Sequence, residues 1–188
     1  MIYDLRLRQR KILAALMFGV AAGALASIAE RVDAALTAGR FTPLGYINAY
    51  TWILVSALLL GPLAPIITTE IQAFIGLLTF ANPLSWLWPI INLIFAVAVG
   101  FALTCINKIK PQIKLSLKVI LLSLTCALLD IPLVYVVIVV VLNLPLVVYW
   151  ISLPFYIALQ LIPTTILSYI IVKRLKYLKF FQEMISST

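Results

Sequence analysis

Six long apolar runs, separated by short polar or helix-breaking pieces, organise the chain: about 10–29, 44–60, 63–81, 84–106, 116–142 and 146–172. A helix needs roughly 20 apolar residues to cross a bilayer, so this pattern predicts a six-transmembrane-helix bundle. The breakers agree with the run boundaries. They are the polar stretch 30–43 (ERVDAALTAGRFTP), the turn dipeptide Gly61-Pro62, Asn82-Pro83, the basic loop 108–114 (KIKPQIK) and Asn143-Leu144-Pro145. Glycine and proline at such points end a helix or turn the chain. The stretch 30–43 is expected to be a connection, folded at most as a short amphipathic segment over the bundle mouth. The basic residues 1–11 followed by an apolar run resemble a cleaved leader, but the run is long enough to span and no polar cleavage region follows it.

Composition agrees with the pattern. Of 188 residues, 64% are apolar and 11% charged, and the mean hydropathy is +1.16, far from the roughly 45–50% apolar and 25% charged of soluble domains. The expectation is an all-α integral membrane protein, a single transmembrane domain over 1–188. Six spans leave no length for an extramembrane catalytic domain. There is no histidine, and Cys105 and Cys126 lie far apart within apolar runs. Neither a metal site nor a disulfide framework is expected, and no cofactor is predicted.

The net charge of +8 becomes informative once it is placed on the loops. With six spans, twelve of the fourteen Lys and Arg residues fall on the side that holds both termini and the 108–114 loop, and only Arg31 and Arg40 lie opposite. The positive-inside rule then predicts cytoplasmic N- and C-termini in a plasma-membrane protein. The basic residues read as a topology signal and a contact for lipid headgroups, not as a nucleic-acid surface.

Two carboxylates interrupt the apolar runs. Glu70 lies mid-way along the third, beside Thr68, Thr69 and Gln72, and Asp130 lies in the fifth, two residues before Pro132. An acidic residue at that depth costs roughly 2.5–3.5 kcal/mol on insertion scales, so it is expected to face the bundle interior or a cavity. Two plainer readings are packing of polar groups around Glu70, and a bond from Asp130 to backbone freed by Pro132.

Toward the outer ends of the runs lie Tyr46, Trp52, Asn82, Trp86, Trp88, Asn92 and Tyr149, with all four tryptophans of the chain in that half. An aromatic belt would populate both interfaces. The one-sided set predicts an outward-opening pocket in which Glu70 and Asp130 meet a ligand's charge, while aromatic faces and asparagine amides orient it. In the first run, Ala15, Gly19 and Gly23 recur every four residues, a small-residue face on which a second helix can approach closely, from this chain or from a partner.

Taken together, the small-residue face of span 1, the Gly61-Pro62 turn, Gly100 near the end of span 4 and the topology resemble the substrate-binding S component of energy-coupling factor (ECF) vitamin transporters, over nearly the whole chain. The segment TEIQAFIGLLTFANP (69–83) with Tyr46, Trp52 and Asp130 is similar to S components for thiamine and its hydroxymethylpyrimidine precursor, in which a glutamate occupies the Glu70 position. Pro65 departs from the glycine that many S components carry there. The resemblance implies a non-enzymatic subunit that captures a vitamin-like solute from outside. It also implies a T component docked on Ala15, Gly19 and Gly23, and two ATP-binding subunits that supply energy. The chain itself has no GxxxxGK[ST] phosphate loop. The alternatives are a multi-span scaffold of cell-wall or shape machinery and an autonomous ion-coupled carrier.

Overall fold

Helix α1 runs from Ile2 to Thr37, well past the expected boundary at residue 29. Its 36 residues make a rod of about 54 Å at 1.5 Å per residue. The stretch Glu30–Leu36 is polar but rich in good helix formers, with no glycine or proline before Gly39. Polarity there marks side chains that pack inside the bundle, Glu30 and Asp33 both being buried, and not the end of the helix. The computed structural model describes residues 2–37, 42–79 and 85–185, and among these it is helical with no strand.

The helices that follow are α2 (Pro43–Leu60), α3 (Ala64–Thr79), α4 (Trp88–Ile109, entered by a 3-10 turn at Ser85–Leu87) and α5 (Leu115–Tyr135). Helix α5 continues as a π-helical segment, Val136–Val141. Helices α6 (Leu146–Leu159) and α7 (Thr165–Leu175) are joined through a second π-helical segment, Gln160–Thr164, and α8 (Lys179–Ile185) ends the described chain.

Among the described residues, five stretches are long and apolar enough to cross a membrane: Arg6–Leu36, Pro43–Leu60, Trp88–Ile109, Leu115–Val141 and Leu146–Leu175. Helix α3 has 16 residues, about 24 Å, short of the hydrocarbon thickness of about 30 Å. The described residues are therefore those of a helical, membrane-embedded protein, with five full-length candidate spans and one shorter apolar helix among them.

Proline explains how the last span stays continuous. Pro163 has no N–H to offer the carbonyl of Leu159, four residues back, and the Thr164 hydroxyl donates to that carbonyl instead at 3.0 Å. At the other end of the 146–175 rod, Asn143 takes a left-handed φ of 50°. Asparagine tolerates that region better than most residues, so the break at 143–145 costs little.

Close approach at glycine sets the packing order. A Cβ on Gly19 would lie 2.7 Å from Ile71 Cβ and 2.8 Å from the Thr68 carbonyl oxygen, and one on Gly23 would lie 2.7 Å from Ile75. The Thr68 hydroxyl also donates to the Ala15 carbonyl at 3.1 Å. The face Ala15, Gly19 and Gly23, expected to receive a partner subunit's helix, is filled by α3 of the same chain. Small side chains let α1 and α3 touch along most of their shared length, which leaves this face closed to another protein.

The start of α2 is held by α1. Pro43 opens the helix, and the Asp33 carboxylate accepts the next two amides, Leu44 N at 3.1 Å and Gly45 N at 2.9 Å. These are amides that a helix start leaves without backbone partners. The negative charge also sits at the positive end of the α2 dipole. Replacing a capping carboxylate costs about 1 kcal/mol. Asp33→Ala is expected to lower stability by that amount and to speed amide exchange in the first turn of α2, with the rest of the helix unchanged.

Two apolar clusters then divide the bundle by depth. One joins Leu7, Ala14, Val55, Leu59, Val172 and Phe181, with Phe18 and Trp52 against it, and so brings the first turns of α1 and the C-terminal α8 to one end. The other joins Tyr50, Leu54, Phe95, Val99, Leu122 and Cys126 in the middle, with Tyr46 and Trp88 on its upper edge. Above that edge, at the end away from the described chain ends, the packing opens into a cavity.

Candidate functional site

The cavity is walled by the second half of α1 (Ala26, Glu30), the start of α2 (Gly45, Tyr46, Ala49, Tyr50) and the second half of α3 (Gln72, Ala73, Gly76). The start of α4 (Trp88, Asn92, Phe95), the end of α5 (Asp130, Leu133, Val134) and Tyr156 of α6 complete it. The space between these walls, with its open mouth included, is about 850 Å³. Residues four apart on a helix stand one above the other. This is how Tyr46 and Tyr50 on α2, and Trp88 and Asn92 on α4, reach the same space.

Asp130 is 1% exposed and accepts a hydrogen bond from the Tyr46 hydroxyl. That bond joins α2 to α5 across the cavity and fixes the Tyr46 ring. The Tyr50 ring lies 4.2 Å from it and the Tyr156 ring 5.2 Å, while Phe95 meets Tyr50 edge-on at 4.6 Å. The aromatic wall is thus locked by its own contacts and by one buried carboxylate. Its apolar faces and its carboxyl oxygens suit a flat or positively charged organic group.

Three polar atoms at this cavity are buried without a hydrogen-bond partner: Glu30 Oε2, Gln72 Oε1 and Trp88 Nε1. Leaving such groups unsatisfied costs about 1–3 kcal/mol each. Two acceptors and one donor on facing walls are the kind of set that a bound polar molecule satisfies. Glu30 and Asp130 are the acidic members of the described lining, and no lysine or arginine accompanies them.

Several expected residues are here and several are not. Asp130, Tyr46, Trp88 and Asn92 line the cavity together. Glu70 does not: it stands on the face of α3 turned away from Gln72, Ala73 and Gly76. The reason is angular, because two residues on from Glu70 the helix has rotated about 200°. Trp52 packs on Phe18 at 5.1 Å in the cluster at the opposite end, six positions along α2 from Tyr46 and about 120° around it.

Trp86 is exposed on the outside of the bundle. Tyr149 is buried in a separate cluster with Val134, Ile138 and Leu153, its hydroxyl donating to the Ile131 carbonyl at 3.3 Å. Asn82 lies outside the described residues. Asp130, for which a bond to backbone freed by Pro132 is the plainer reading of the sequence, lines the cavity and accepts from Tyr46.

Tyr50, Gln72, Tyr156 and Glu30 are site residues that the pattern alone did not select. The first two were within reach of helical spacing, Tyr50 four residues after Tyr46 and Gln72 on the threonine-rich face of α3. Glu30 was hidden because its stretch read as a loop.

No family model, no curated protein and no solved structure matches the chain. The fold and the cavity therefore define the class by themselves, a helical membrane protein with a cavity lined by acidic and aromatic side chains.

Proposed function

We propose that this chain is a solute-binding subunit of a membrane importer, of the ECF S-component type. In this reading it sits in the plasma membrane with both termini cytoplasmic and α3 as a sixth, short span. It captures from outside a small vitamin-like solute with an aromatic, positively charged group, thiamine or a pyrimidine relative of it. The observation that carries the proposal is the cavity lining, which sets Asp130 and Glu30 among the rings of Tyr46, Tyr50, Trp88 and Tyr156 without any lysine or arginine. A cation over aromatic faces gains about 2 kcal/mol or more when desolvated, and each carboxylate gains a partner. Energy would come from a T component and two ATP-binding subunits, and inward release would follow reorientation of the bundle.

Mass spectrometry of small molecules retained by the detergent-purified protein tests this. Recovery of a pyrimidine- or thiazole-containing compound is the expected result. A different vitamin would keep the class and discard the substrate, and an empty protein would favour a multi-span scaffold.

One observation favours a second reading, an autonomous ion-coupled carrier. Gln160, in the π-helical segment one turn below Tyr156, is fully buried with neither side-chain amide atom bonded, and irregular helix at that depth is where oxygen ligands for sodium become free. Uptake by the chain alone in proteoliposomes under a sodium gradient would support that reading, and uptake only with the partner subunits would support the first.

A further inference from the structure

The cavity does not use Glu70, and the structure shows what surrounds it instead. On α3, Thr68, Thr69, Gln72, Ala73 and Gly76 are buried in the bundle. The other side carries Leu63, just before the helix, then Ile67, Glu70, Phe74 and Leu77, with Leu78 beside the last; Ile67, Glu70 and Leu77 are half-buried, Ile67 against the cluster of Leu7 and Val55. Leu63, Phe74 and Leu78 are 73%, 59% and 65% exposed. The spacing alternates four and three residues, the seam on which one helix packs along another. A single polar residue within such a seam fixes the register of the partner.

Glu70 is that residue, and its chemistry restricts the partner. Its Oε1 is shielded from solvent and has no hydrogen-bond partner. All fourteen lysines and arginines of this chain lie at the ends of the apolar runs or in the connections, so none stands at the depth of Glu70. A lone carboxylate, half-buried at the side of the exposed strip, carries the few-kcal/mol insertion cost argued above. A lysine or arginine on a neighbouring transmembrane helix would lower that cost for both residues.

We propose that the Leu63–Glu70–Phe74 face of α3 is the docking surface for a transmembrane helix of another protein, and that this helix carries a lysine or arginine level with Glu70. In the transporter reading this helix belongs to the partner membrane subunit, on α3 and not on the small-residue face of α1. The contact does not depend on an occupied cavity, so an empty cavity and an unpartnered α3 are separate outcomes.

The test is photo-crosslinking of the full chain in the membranes of cells that make it, with Phe74→p-benzoylphenylalanine and, as a control on another exposed face, Leu128→p-benzoylphenylalanine. The expected result is an adduct at position 74 whose sequenced peptide is an apolar helix with a lysine or arginine within one turn of the link, and none at position 128. Adding Glu70→Lys should cut that adduct at least tenfold, Glu70→Gln should cut it less, and changing the partner's basic residue to glutamate should restore it with Glu70→Lys. Because Glu70 is half-buried and its Oε1 bonds to nothing within the chain, the melting temperature of each variant should stay close to the parent's. An adduct only with lipid, only with a second copy of this chain, or with a helix lacking a basic residue would overturn the proposal, as would an adduct yield unchanged by Glu70→Lys.

Discussion

Gly100→Ala is expected to be the most damaging single-methyl change in the chain. A Cβ at position 100 would stand 2.2 Å from the carbonyl oxygen of Pro62, about an ångström inside the closest contact that the atoms permit. The obstacle is backbone and no rotamer relieves it. Pro62 is in turn fixed by the α2 end, where Gly61 at φ 106° caps the helix through an amide bond to Ala57 O at 3.0 Å.

Relief would require α4 to move away from the turn between α2 and α3, which loosens Val99 and Leu103 in the central cluster. Overpacking of this kind costs about 1–3 kcal/mol, and the backbone contact puts Gly100 at the upper end. At about 2–4 °C per kcal/mol for a chain of this size, the midpoint of thermal unfolding in detergent should fall by about 5–10 °C. Gly76→Ala supplies the contrast. Nothing lies within 4 Å of a Cβ there, and alanine is favoured over glycine in a helix by about 1 kcal/mol, so that midpoint should hold or rise. Equal midpoints for the two variants would show that the Gly100–Pro62 contact is not tight.

The same contact shows what kind of information the sequence carries. Gly61-Pro62 as a turn and Gly100 as a small residue were both visible in the pattern, but their meeting is tertiary and no local rule supplies it. Apolar runs located α2, α4, α5 and the 146–175 rod to within a few residues, because the bilayer imposes length and hydropathy on every span. The end of α1 is not legible from charge, because Glu30 and Asp33 are helical residues buried in the bundle, Asp33 against the start of α2.

At the site, neither depth nor direction was fully legible. Tyr46 and Trp52 both fall in the outer half by composition, yet six residues of rise and about 120° around α2 separate them, one lining the cavity and the other in the cluster at the chain ends. Glu70 follows the same angular logic: on α3, Thr68, Thr69 and Gln72 group on one side, with Glu70 opposite.

The second large effect is expected in binding. Trp88 lines the cavity while Trp52, Trp86 and Trp150 do not, so tryptophan fluorescence with thiamine as the first probe reports occupancy, and Trp88→Phe removes the signal. Asp130→Asn keeps the size of the side chain and removes its charge, and the Tyr46 hydroxyl can still donate to the amide oxygen. Loss of one member of a buried charge pair costs about 2–5 kcal/mol, so the dissociation constant should rise by at least about tenfold, or 1.4 kcal/mol.

Glu30→Gln should act in the same direction, because Glu30 Oε2 has no partner within the protein and is free to meet the ligand. Tyr46→Phe separates positioning from charge: it releases the ring from Asp130 while leaving the carboxylate, and should weaken binding less than Asp130→Asn. Glu70→Gln, on the far face of α3, should leave the constant unchanged. If Glu70→Gln weakens binding and Asp130→Asn does not, the ligand sits elsewhere than among the rings around Asp130.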